Sequence, residues 1–513
     1  MDLKVIKDLY SLFQLSSGVS TDSRDITKNS IYFSLKGMNF NGNDFALEAL
    51  DNGAMVSVVD DNSLSNKSDN IYYVDDALKA LQGLATYHRD NLRIPVIGIT
   101  GSNGKTTTKN LVKEVLSLKY NVIATEGNLN NHIGVPLSIL SIADRHEIAI
   151  IEMGASAVGE IKFLCSIAKP SIGLITNISN AHLEGFKSLE GVIRGKSELF
   201  DYLLKNNGEV VINNLDQIIK NFSKRFRDPT YIEGDGSIVD VKLLESEPEI
   251  KFKIKGQVFS SQLFGIYNFQ NILFAMTLGK KFDIDEKLSA RSIENFKVDS
   301  NRSEKKYFGS NCLILDAYNA NPISMQNAID SFIKFERENK ILILSDMNEL
   351  GKDSLSEHIK VAKFIDTLNI NVCYLVGDKM KSAHKILSNS LWFKDTESLR
   401  SKLLEETNYF KKISFNNPNI KSNCLKDKNT RICIEESTQY QSQLNNLKMI
   451  YGYPFNKSSY CKKFKYNEFI LCWSNVFKNY DLVSCKNGEF YNHKAFSHKE
   501  IIYLRKNFCN INF

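Results

Sequence analysis

The sequence predicts an α/β protein of three domains followed by an atypical C-terminal tail. Two stretches alternate β-rich runs with segments of helical spacing, which predicts βαβ units and mostly parallel sheets. A shorter stretch before them mixes brief β-like runs with turn residues. The composition agrees with folded domains, since 42% of the 513 residues are hydrophobic and 24% are charged. The predicted domains are 1–85, 86–298 and 299–408, with the tail over 409–513.

Each domain has its own run of elements. The first contains the short β-like runs SIYFSLKG, GAMVSVVD and NIYYVDD between turn residues. The second starts at IPVIGIT and continues through NVIAT, IAIIEMG, SIGLITNI and GEVVIN, which predicts a central parallel sheet. The third starts near residue 300 with CLILDAY, KILILSD and NVCYLVG. We therefore expect a separate, smaller domain of the Rossmann-like α/β type at the end.

The tail differs from the rest in charge and in cysteine content. Residues 401–513 carry 18 Lys and Arg against 9 Asp and Glu, whereas residues 1–400 carry 47 against 50. Six of the nine cysteines also lie there, without the CxxC spacing of zinc or redox sites. Three explanations are open: an appended element that contacts anionic lipid or nucleic acid, a poorly ordered extension, or a shifted reading frame. We favour the shifted frame, and expect no nucleic-acid partner for the body.

The sequence gives no sign of a membrane segment. No uninterrupted apolar run approaches the roughly 18 residues that span a bilayer. The N-terminal MDLKVIKDLYSLF lacks a basic start, an apolar core and a cleavage site. We therefore expect a cytoplasmic protein without a membrane span.

The stretch TGSNGKTT, between a β-rich run and a helical segment, predicts a phosphate-binding loop. Glycines let backbone amides point into one concavity, and the following helix adds its N-terminal N–H groups. A lysine at this place reaches the outer phosphates, and the next threonine hydroxyl suits magnesium. A glycine-containing turn with an incidental lysine is the alternative, but strand, loop and helix occur in the required order. The candidate ATP-binding residues are Gly101, Ser102, Asn103, Gly104, Lys105, Thr106 and Thr107.

The spacing of this loop resembles one protein family. Only two residues separate the glycines, where the common loop has four. The form T-G-x-x-G-K-T-T is similar to that of the Mur ligases and their relative folylpolyglutamate synthase, which join an amine to a carboxylate with ATP. The resemblance extends over roughly residues 15–405, with several motifs in the expected order. It implies a UDP-binding first domain, a P-loop ATPase-like central domain and a C-terminal Mur ligase domain.

Downstream residues provide candidate metal ligands. Glu152 ends a buried-type strand, where open α/β sheets place their ligands, and it pairs sensibly with Thr106 as an oxygen ligand of magnesium. TNISNAHLEGFKSLEGVIRGKSELF resembles a family segment and supplies His182 and Lys196. The resemblance implies that His182 lies at a second magnesium ion and that Lys196 is carbamylated. A carbamate replaces a cation by an anion, which suits two divalent ions.

Three further residues are assigned by resemblance to nucleotide binding. FGIYNFQNILFAM is similar to the family segment G-x-H-N-x-x-N, although Tyr267 replaces the histidine, and it makes Asn271 the candidate adenine contact. Arg302 matches an arginine that reaches the γ-phosphate, where positive charge assists phosphoryl transfer. Asp316 resembles the carboxylate that contacts the ATP ribose. The implied catalytic residues are Lys105, His182, Lys196 and Arg302.

Other stretches favour one branch of the family. TEGNLNNHIGVP, LDAYNANPISM and LSDMNELG together resemble the enzyme that adds D-alanyl-D-alanine to UDP-N-acetylmuramoyl-tripeptide. VSTDSRDITKNSIYFSLKGMNFNGNDF resembles the uridine-nucleotide-binding domain, although Asn41 and Asn43 stand where acidic and histidine residues are common. The implied substrate contacts are Ser23, Arg24, Asn130, Asn131, Ser156, Tyr318, Asn319 and Asn321.

The resemblance implies a two-step ligase of peptidoglycan precursor synthesis, and with it a part in cell-wall formation, cell shape and division. ATP phosphorylates the tripeptide carboxylate, and the amine of D-Ala-D-Ala then displaces phosphate. The implied cofactors are ATP and two magnesium ions, the substrates are small molecules, and the protein is expected to be a monomer. Two alternatives stay open: the related ligase that adds a diamino acid as third residue, and a degenerate nucleotide-binding scaffold.

The family pattern stops before the tail. After ESLRSKLLEETNYF it has one more strand and a K-G-S-R segment, neither of which we find in this sequence. If the reading frame is shifted, the third domain lacks an edge strand and is expected to be unstable or weakly active.

Overall fold

The chain folds into two compact units. The structure, a computed structural model, describes residues 2–247, 249–298, 302–308, 311–335, 339–368 and 370–403, with strands at Glu468–Trp473, Ser484–Lys486 and Glu489–Tyr491. Unit 1 comprises Met1–Leu244, Lys251–Ser261 and Asn268–Phe296; unit 2 comprises Glu245–Ile250, Gln262–Tyr267 and Lys297–Phe513. The predicted division into three domains stays a prediction.

Unit 1 begins with a small parallel sheet, as the sequence predicts. Its strands pair in the order β1-β2-β3-β4. Helix α3 has apolar residues at helical spacing, so that Ala77, Leu81 and Leu84 are buried on one face, and the Asp76 side chain caps its first turn. The elements are α1 (Leu3–Leu15), β1 (Val19–Ser20), β2 (Ile31–Phe33), α2 (Ala46–Asp51), β3 (Val56–Val59), β4 (Ile71–Tyr73) and α3 (Ala77–Asn91).

A larger parallel sheet follows in the same unit. Its elements are β5 (Val96–Thr100), α4 (Lys105–Leu116), β6 (Val122–Ala124), α5 (Gly134–Leu140), β7 (Ile148–Glu152), α6 (Glu160–Ala168), β8 (Ile172–Ile175), α7 (Leu183–Phe186), α8 (Leu189–Lys205), β9 (Glu209–Ile212), α9 (Gln217–Phe222) and β10 (Thr230–Tyr231). The strand order is β10-β9-β8-β5-β7-β6. Strands β5, β7 and β8 are buried along their whole length, as is typical of parallel strands with both faces covered.

Three short strands and two helices come next. The strands β11 (Val241–Glu245), β12 (Ile250–Ile254) and β13 (Gln257–Ser261) form one sheet, and the helices are α10 (Tyr267–Lys281) and α11 (Glu286–Asn295). Most of α10 is buried, including its polar Asn268 and Asn271. A helix that is buried on most sides needs partners for such amides, which the site described below provides.

Unit 2 contains a mixed sheet around its own core. Its elements are β14 (Arg302–Phe308), β15 (Asn311–Asp316), α12 (Pro322–Ile333), β16 (Asn339–Ser345), α13 (Ser354–Asp366), β17 (Val372–Val376), α14 (Lys381–His384), β18 (Ser390–Phe393) and β19 (Glu468–Trp473). The order is β14-β15-β19-β16-β17-β18, and only the β14–β15 pair among these described strands is antiparallel.

Strand β19 comes from the region that the sequence analysis sets apart as a tail. It pairs in parallel with both β15 and β16, so this region supplies an interior strand of the sheet. Strands β20 (Ser484–Lys486) and β21 (Glu489–Tyr491) form an antiparallel pair. The other tail residues lie outside the described part of the chain, so the three explanations for the tail stay open.

The α/β class with parallel sheets is confirmed. Each unit has a separate apolar cluster, which contains Leu84, Ile151 and Phe200 in unit 1 and Ile314, Phe332 and Leu342 in unit 2. Among the helices described, none has both the length and the apolar character that crossing a bilayer requires.

Candidate active site

The predicted phosphate loop connects β5 to α4 and requires both of its glycines. Gly101 has φ +146°, and a Cβ there would lie 1.9 Å from the Thr176 hydroxyl oxygen. Gly104 has φ +79°, and its Cβ would lie 2.7 Å from the Asn271 side-chain oxygen. Other residues would therefore be strained and would clash. The loop has the strand-before and helix-after context that the motif requires.

Residues after β8 hold the loop in shape. The backbone N–H of Ser102 donates to the Asn177 carbonyl over 2.9 Å, and that of Asn103 donates to the Asn177 side-chain oxygen over 3.0 Å. The Ser102 hydroxyl donates to the Ser179 carbonyl over 3.1 Å. Several hydrogen bonds thus join the predicted phosphate loop to the segment that follows β8.

Lys105 and Thr107 occupy the first turn of α4. The Lys105 ammonium donates to the carbonyls of Gly101 over 2.8 Å and Ser102 over 3.2 Å, so it lies across the loop. A phosphate oxygen is a stronger acceptor than a carbonyl for such an ammonium group. Thr107 is half-buried on the same turn.

The carboxylate of Glu152 is buried and held by several contacts. It is 1% exposed at the end of β7 and accepts hydrogen bonds of 2.9 Å from the Thr106 hydroxyl and 2.9 Å from the Asn130 amide. The Lys109 ammonium, also buried, lies 3.6 Å from its Oε2 atom and donates to the Thr125 carbonyl over 2.6 Å. A buried carboxylate is thus matched by a buried cation.

The Thr106 and Glu152 pair fits magnesium. Both offer oxygen atoms, the ligands that this ion prefers, at the start of α4 beside the phosphate loop. Within the described residues, no three His, Cys, Asp or Glu side chains converge on one point. Magnesium is commonly held by one or two carboxylates together with substrate phosphates, so a smaller set of protein ligands is sufficient.

Lys196 on α8 is completely buried. Its ammonium donates to the Ala155 carbonyl over 3.0 Å and lies 5.3 Å from the ring centroid of Phe186. Burial, and secondly the charge of Lys105, lower the pKa of Lys196 well below the usual value of a lysine. Such a lysine holds its neutral form more readily than an exposed one.

Ser156 follows Ala155, whose carbonyl Lys196 contacts, and His182 lies in the loop before α7. His182 has a left-handed backbone, φ +54°, directly before α7. In α7, Gly185 packs so closely on Ser156 that a Cβ would lie 2.0 Å from the Ser156 carbonyl oxygen. The Ser156 N–H donates to Glu160 over 2.7 Å. Their assignments to metal and substrate stay predictions.

Asn131 and Asn271 have structural contacts. The Asn131 side chain accepts from the N–H groups of Ile133 and Gly134, at the start of α5. The Asn271 oxygen accepts from the Thr108 hydroxyl over 2.9 Å, and its amide donates to Asn268. Asn271 therefore ties α10 to the phosphate-loop helix. The substrate roles of Asn130 and Asn131 and the adenine role of Asn271 stay predictions.

The candidate uridine-nucleotide residues lie in the first sheet of unit 1. Ser23 is buried, whereas Arg24 is exposed and forms a salt bridge of 2.7 Å with Asp22. Asn43 accepts from the Ser34 hydroxyl and donates to Asp60 over 2.7 Å. The asparagine that replaces a common family histidine is therefore fully integrated in the loop.

The candidates in unit 2 form a second cluster. The Arg302 guanidinium carbon lies 3.5 Å from the ring centroid of Tyr318. Asp316, at the end of β15, accepts from the Ser303 hydroxyl over 3.1 Å, and burial raises its pKa to about 7. Asn319 is exposed. Asn321 caps α12 through a hydrogen bond from the Ser324 N–H, so its side chain has a structural task.

Sequence reasoning missed Lys109 and Ser303. Lys109 lies on the face of α4 that carries Val112 and Leu116, three and seven residues later. A lysine at an apolar position of a helix predicts a buried, paired ammonium group. Ser303 offers no signal beyond its position next to Arg302. Its partners come from distant parts of the sequence.

Three family models match the chain. They are the Mur ligase family catalytic domain over residues 16–89, the Mur ligase middle domain over 99–279 and the Mur ligase glutamate ligase domain over 301–407. A UDP-N-acetylmuramoyl-tripeptide--D-alanyl-D-alanine ligase of Bacillus subtilis (strain 168) is 38% identical over 369 residues, which cover 70% of this chain and 80% of that protein.

Two solved structures share the fold. MurF from Acinetobacter baumannii aligns with a TM-score of 0.69 at 22% identity and covers 91% of this chain and 95% of its own. MurF ligase from Thermotoga maritima, in complex with ADP, aligns with a TM-score of 0.68 at 23% identity over 90% and 94%.

Proposed function

The chain belongs to the Mur ligase family, and from this premise we propose that it joins D-alanyl-D-alanine to UDP-N-acetylmuramoyl-tripeptide with ATP. The observation that carries the proposal is the hydrogen bond of 2.9 Å between the phosphate-loop hydroxyl of Thr106 and the carboxylate of Glu152. It supports the proposal because it joins the candidate nucleotide loop to a carboxylate whose oxygen atoms suit magnesium. The name of the 38% identical relative supports the choice of substrates.

The first step forms an acyl phosphate. A carboxylate oxygen of the tripeptide attacks the γ-phosphorus of ATP, the bond to the bridging oxygen breaks, and ADP leaves. Lys105 exchanges its loop carbonyls for phosphate oxygens, and the amides of Gly104 and its neighbours hold the phosphates. Arg302 adds positive charge at the γ-phosphate, and Asp316 holds the ribose.

The second step forms the peptide bond. The amine of D-Ala-D-Ala attacks the acyl carbon, phosphate leaves, and the nitrogen loses a proton. Asn130, Asn131, Ser156, Tyr318, Asn319 and Asn321 are the candidate contacts to these peptide groups, while Ser23 and Arg24 are candidates for the UDP moiety. Water must be excluded during this step because it competes with the amine for the acyl phosphate.

Thr106, Glu152 and His182 would hold magnesium. The ions, when bound, supply positive charge to the phosphate oxygens. Lys196 is proposed to carry a carbamate: its neutral amine adds to carbon dioxide, a nitrogen–carbon bond forms, and one proton is released. Complete burial and the lowered pKa of Lys196 support this, because only the neutral amine can add.

We further propose a cytoplasmic monomer, since ATP and UDP-linked precursors are cytoplasmic metabolites. Light scattering measures the mass of the purified protein in solution, which should equal the 58.3 kDa of one chain. A stable dimer would contradict this part of the proposal.

The test is phosphate release by the purified chain with ATP, magnesium and UDP-N-acetylmuramoyl-tripeptide, with and without D-Ala-D-Ala. We expect release that depends on the dipeptide, and a product whose mass equals tripeptide plus dipeptide minus water. A Glu152→Gln variant, which keeps the shape but loses the charge, is the matched control and is expected to be inactive.

Two other outcomes identify the alternatives. Release that requires UDP-N-acetylmuramoyl-dipeptide and a diamino acid would indicate the related ligase. Nucleotide binding without turnover on either substrate pair, by a chain whose folding is intact, would indicate the scaffold.

A further inference from the structure

Ser303 is the strained residue of the unit 2 cluster. It has φ +57°, a left-handed conformation that is strained for a non-glycine residue. The ladder between β14 and β15 shifts register at this point, because Arg302 pairs with Asp316 whereas Glu304 pairs with Leu315. Ser303 is therefore the extra residue of a β-bulge. Such a conformation persists only where the surroundings determine it.

Ser303 is held by hydrogen bonds to Asp316 and Tyr267, and its backbone N–H also donates to the Asp316 carboxylate. Ser303 is 4% exposed, and its hydroxyl donates to Asp316 Oδ2 over 3.1 Å and lies 2.8 Å from the Tyr267 hydroxyl. A serine has one hydroxyl proton, and an ionised carboxylate can only accept. When Asp316 is ionised, the Tyr267 hydroxyl donates to Ser303 or directly to the carboxylate, with which it also forms a hydrogen bond, so Tyr267, Ser303 and Asp316 form one hydrogen-bonded chain.

This chain restricts the carboxylate. Asp316 ends β15 after four buried residues and pairs with Arg302 of β14, so the sheet holds its backbone. The remaining freedom is rotation of the side chain, which the bond from Ser303 limits. Tyr267 in turn limits Ser303, because turning its hydroxyl away would break the shorter of the two hydrogen bonds.

We infer that Tyr267 and Ser303 are positioning residues that orient the Asp316 carboxylate toward a ribose hydroxyl of the bound adenine nucleotide. The inference rests on the proposed function, in which Asp316 contacts the ribose. In this role both residues act through Asp316 and not by contacting the nucleotide. Their effect is on nucleotide discrimination: a fixed carboxylate distinguishes a ribose from a deoxyribose better than a mobile one.

The bulge at Ser303 also affects the position of Arg302. Because Ser303 takes the extra position, the neighbouring Arg302 keeps its place opposite Asp316, and its guanidinium packs on the ring of Tyr318. Ser303 therefore helps to position both Asp316, assigned to the ribose, and Arg302, assigned to the γ-phosphate. We expect ribose selectivity to be the more sensitive readout, since Arg302 also has the stacking contact.

The test measures binding of ADP, 2′-deoxy-ADP and 3′-deoxy-ADP by calorimetry, to the wild-type chain and to Tyr267→Phe and Ser303→Ala. The wild type is expected to prefer ADP over at least one deoxy analogue. In each variant we expect ADP to bind about three- to tenfold more weakly, whereas the affinity for that deoxy analogue should change less than about twofold. The preference for ADP over the analogue should therefore shrink.

Two controls separate orientation from folding. Tyr307→Phe removes a hydroxyl from a tyrosine that is 54% exposed on the same strand, and is expected to keep the preference. Ser303→Gly also removes the hydroxyl but accepts the left-handed backbone without strain, so it should match Ser303→Ala in selectivity while being more stable to urea.

Equal weakening of ADP and its analogues, or an unchanged preference in Tyr267→Phe, would overturn the inference. Binding does not require turnover, so the two proposals can fail separately. A chain that forms no product would reject the ligase, and the binding data on its variants would still decide this inference. A wild type that ignores both ribose hydroxyls would overturn it as well.

Discussion

Lys109 shows how one side chain supports Glu152, the proposed magnesium ligand. It is the buried cation beside the buried carboxylate of Glu152, and it also bonds the Thr125 carbonyl. An isolated buried charge is costly, and removing one partner of a buried pair leaves the other without compensation. Lys109 thus supports Glu152 although it belongs to no recognised motif.

We expect Lys109→Met to reduce the free energy of unfolding by about 3 kcal/mol, because it leaves the buried Glu152 charge without its partner. The measurement is urea denaturation. Lys113→Met, one turn later and exposed on the same helix, is the control and should change stability little. A loss below about 1 kcal/mol for Lys109→Met would contradict the assigned pairing.

The raised pKa of Asp316 predicts a pH-dependent stability. Burial raises the pKa of Asp316 from 3.8 to about 7, so the folded state binds a proton more tightly than the unfolded state. Its contribution is therefore present below about pH 4 and is lost as the pH rises toward 7. We expect the stability of Asp316→Asn relative to wild type to increase between pH 4 and 7 and to level off above pH 8.

Thermal or urea unfolding of both proteins at several pH values measures this difference. Asp330→Asn, an exposed carboxylate paired with Lys334 on α12, is a suitable control. Parallel stability curves for wild type and Asp316→Asn would show that Asp316 titrates alike in both states.

At the scale of elements, α6 depends on its neighbour α8 for a cap. The residue before α6 is Gly159, which has no side chain to accept from the free N–H groups of the first turn. Glu198 of α8 accepts from the N–H groups of Gly159 over 2.6 Å and Lys162 over 2.8 Å. The same helix carries Lys196, whose ammonium bonds the loop before α6 at Ala155.

We expect Glu198→Ala to cost about 1 kcal/mol and to raise hydrogen exchange at the amides around Gly159, because the cap is lost. Glu190→Ala, in the exposed first turn of α8, should leave those amides protected. Unchanged exchange around Gly159 in Glu198→Ala would reject the capping role.

Elements also show what the sequence can predict. The order β5, loop, α4 could be predicted from TGSNGKTT, because the conformation of this loop depends on residues that are close together in the sequence. The side chain of Asn130 illustrates the limit: its bond to Glu152 joins residues 22 positions apart and depends on the register of the sheet. Strand β19 was missed for a related reason, since its partners β15 and β16 lie more than 100 residues earlier.

At the scale of the whole molecule, β19 decides whether unit 2 has a continuous sheet. It lies between β15 and β16, so without it the β14–β15 pair has no described strand that joins it to β16–β18. We expect a chain ending at residue 408 to lose the cooperative unfolding of unit 2 while unit 1 unfolds as before. Calorimetry and limited proteolysis of both chains measure this.

The full chain at the same pH and salt is the control for that truncation. An identical unfolding profile for the shortened chain would show that the sheet of unit 2 does not need the region beyond residue 408. It would also make a shifted reading frame harmless to the fold.

The division of the chain between its units limits how relatives can be recombined. The path leaves unit 1 after Leu244, returns at Lys251, leaves again after Ser261, returns at Asn268 and leaves finally after Phe296. A chimera made with one crossover at residue 244 would take α10 and α11 from the other parent, and Asn271 with them. Its phosphate-loop helix would then face a foreign partner for Thr108. Exchange of whole units therefore calls for a crossover after Phe296 together with replacement of the two short excursions.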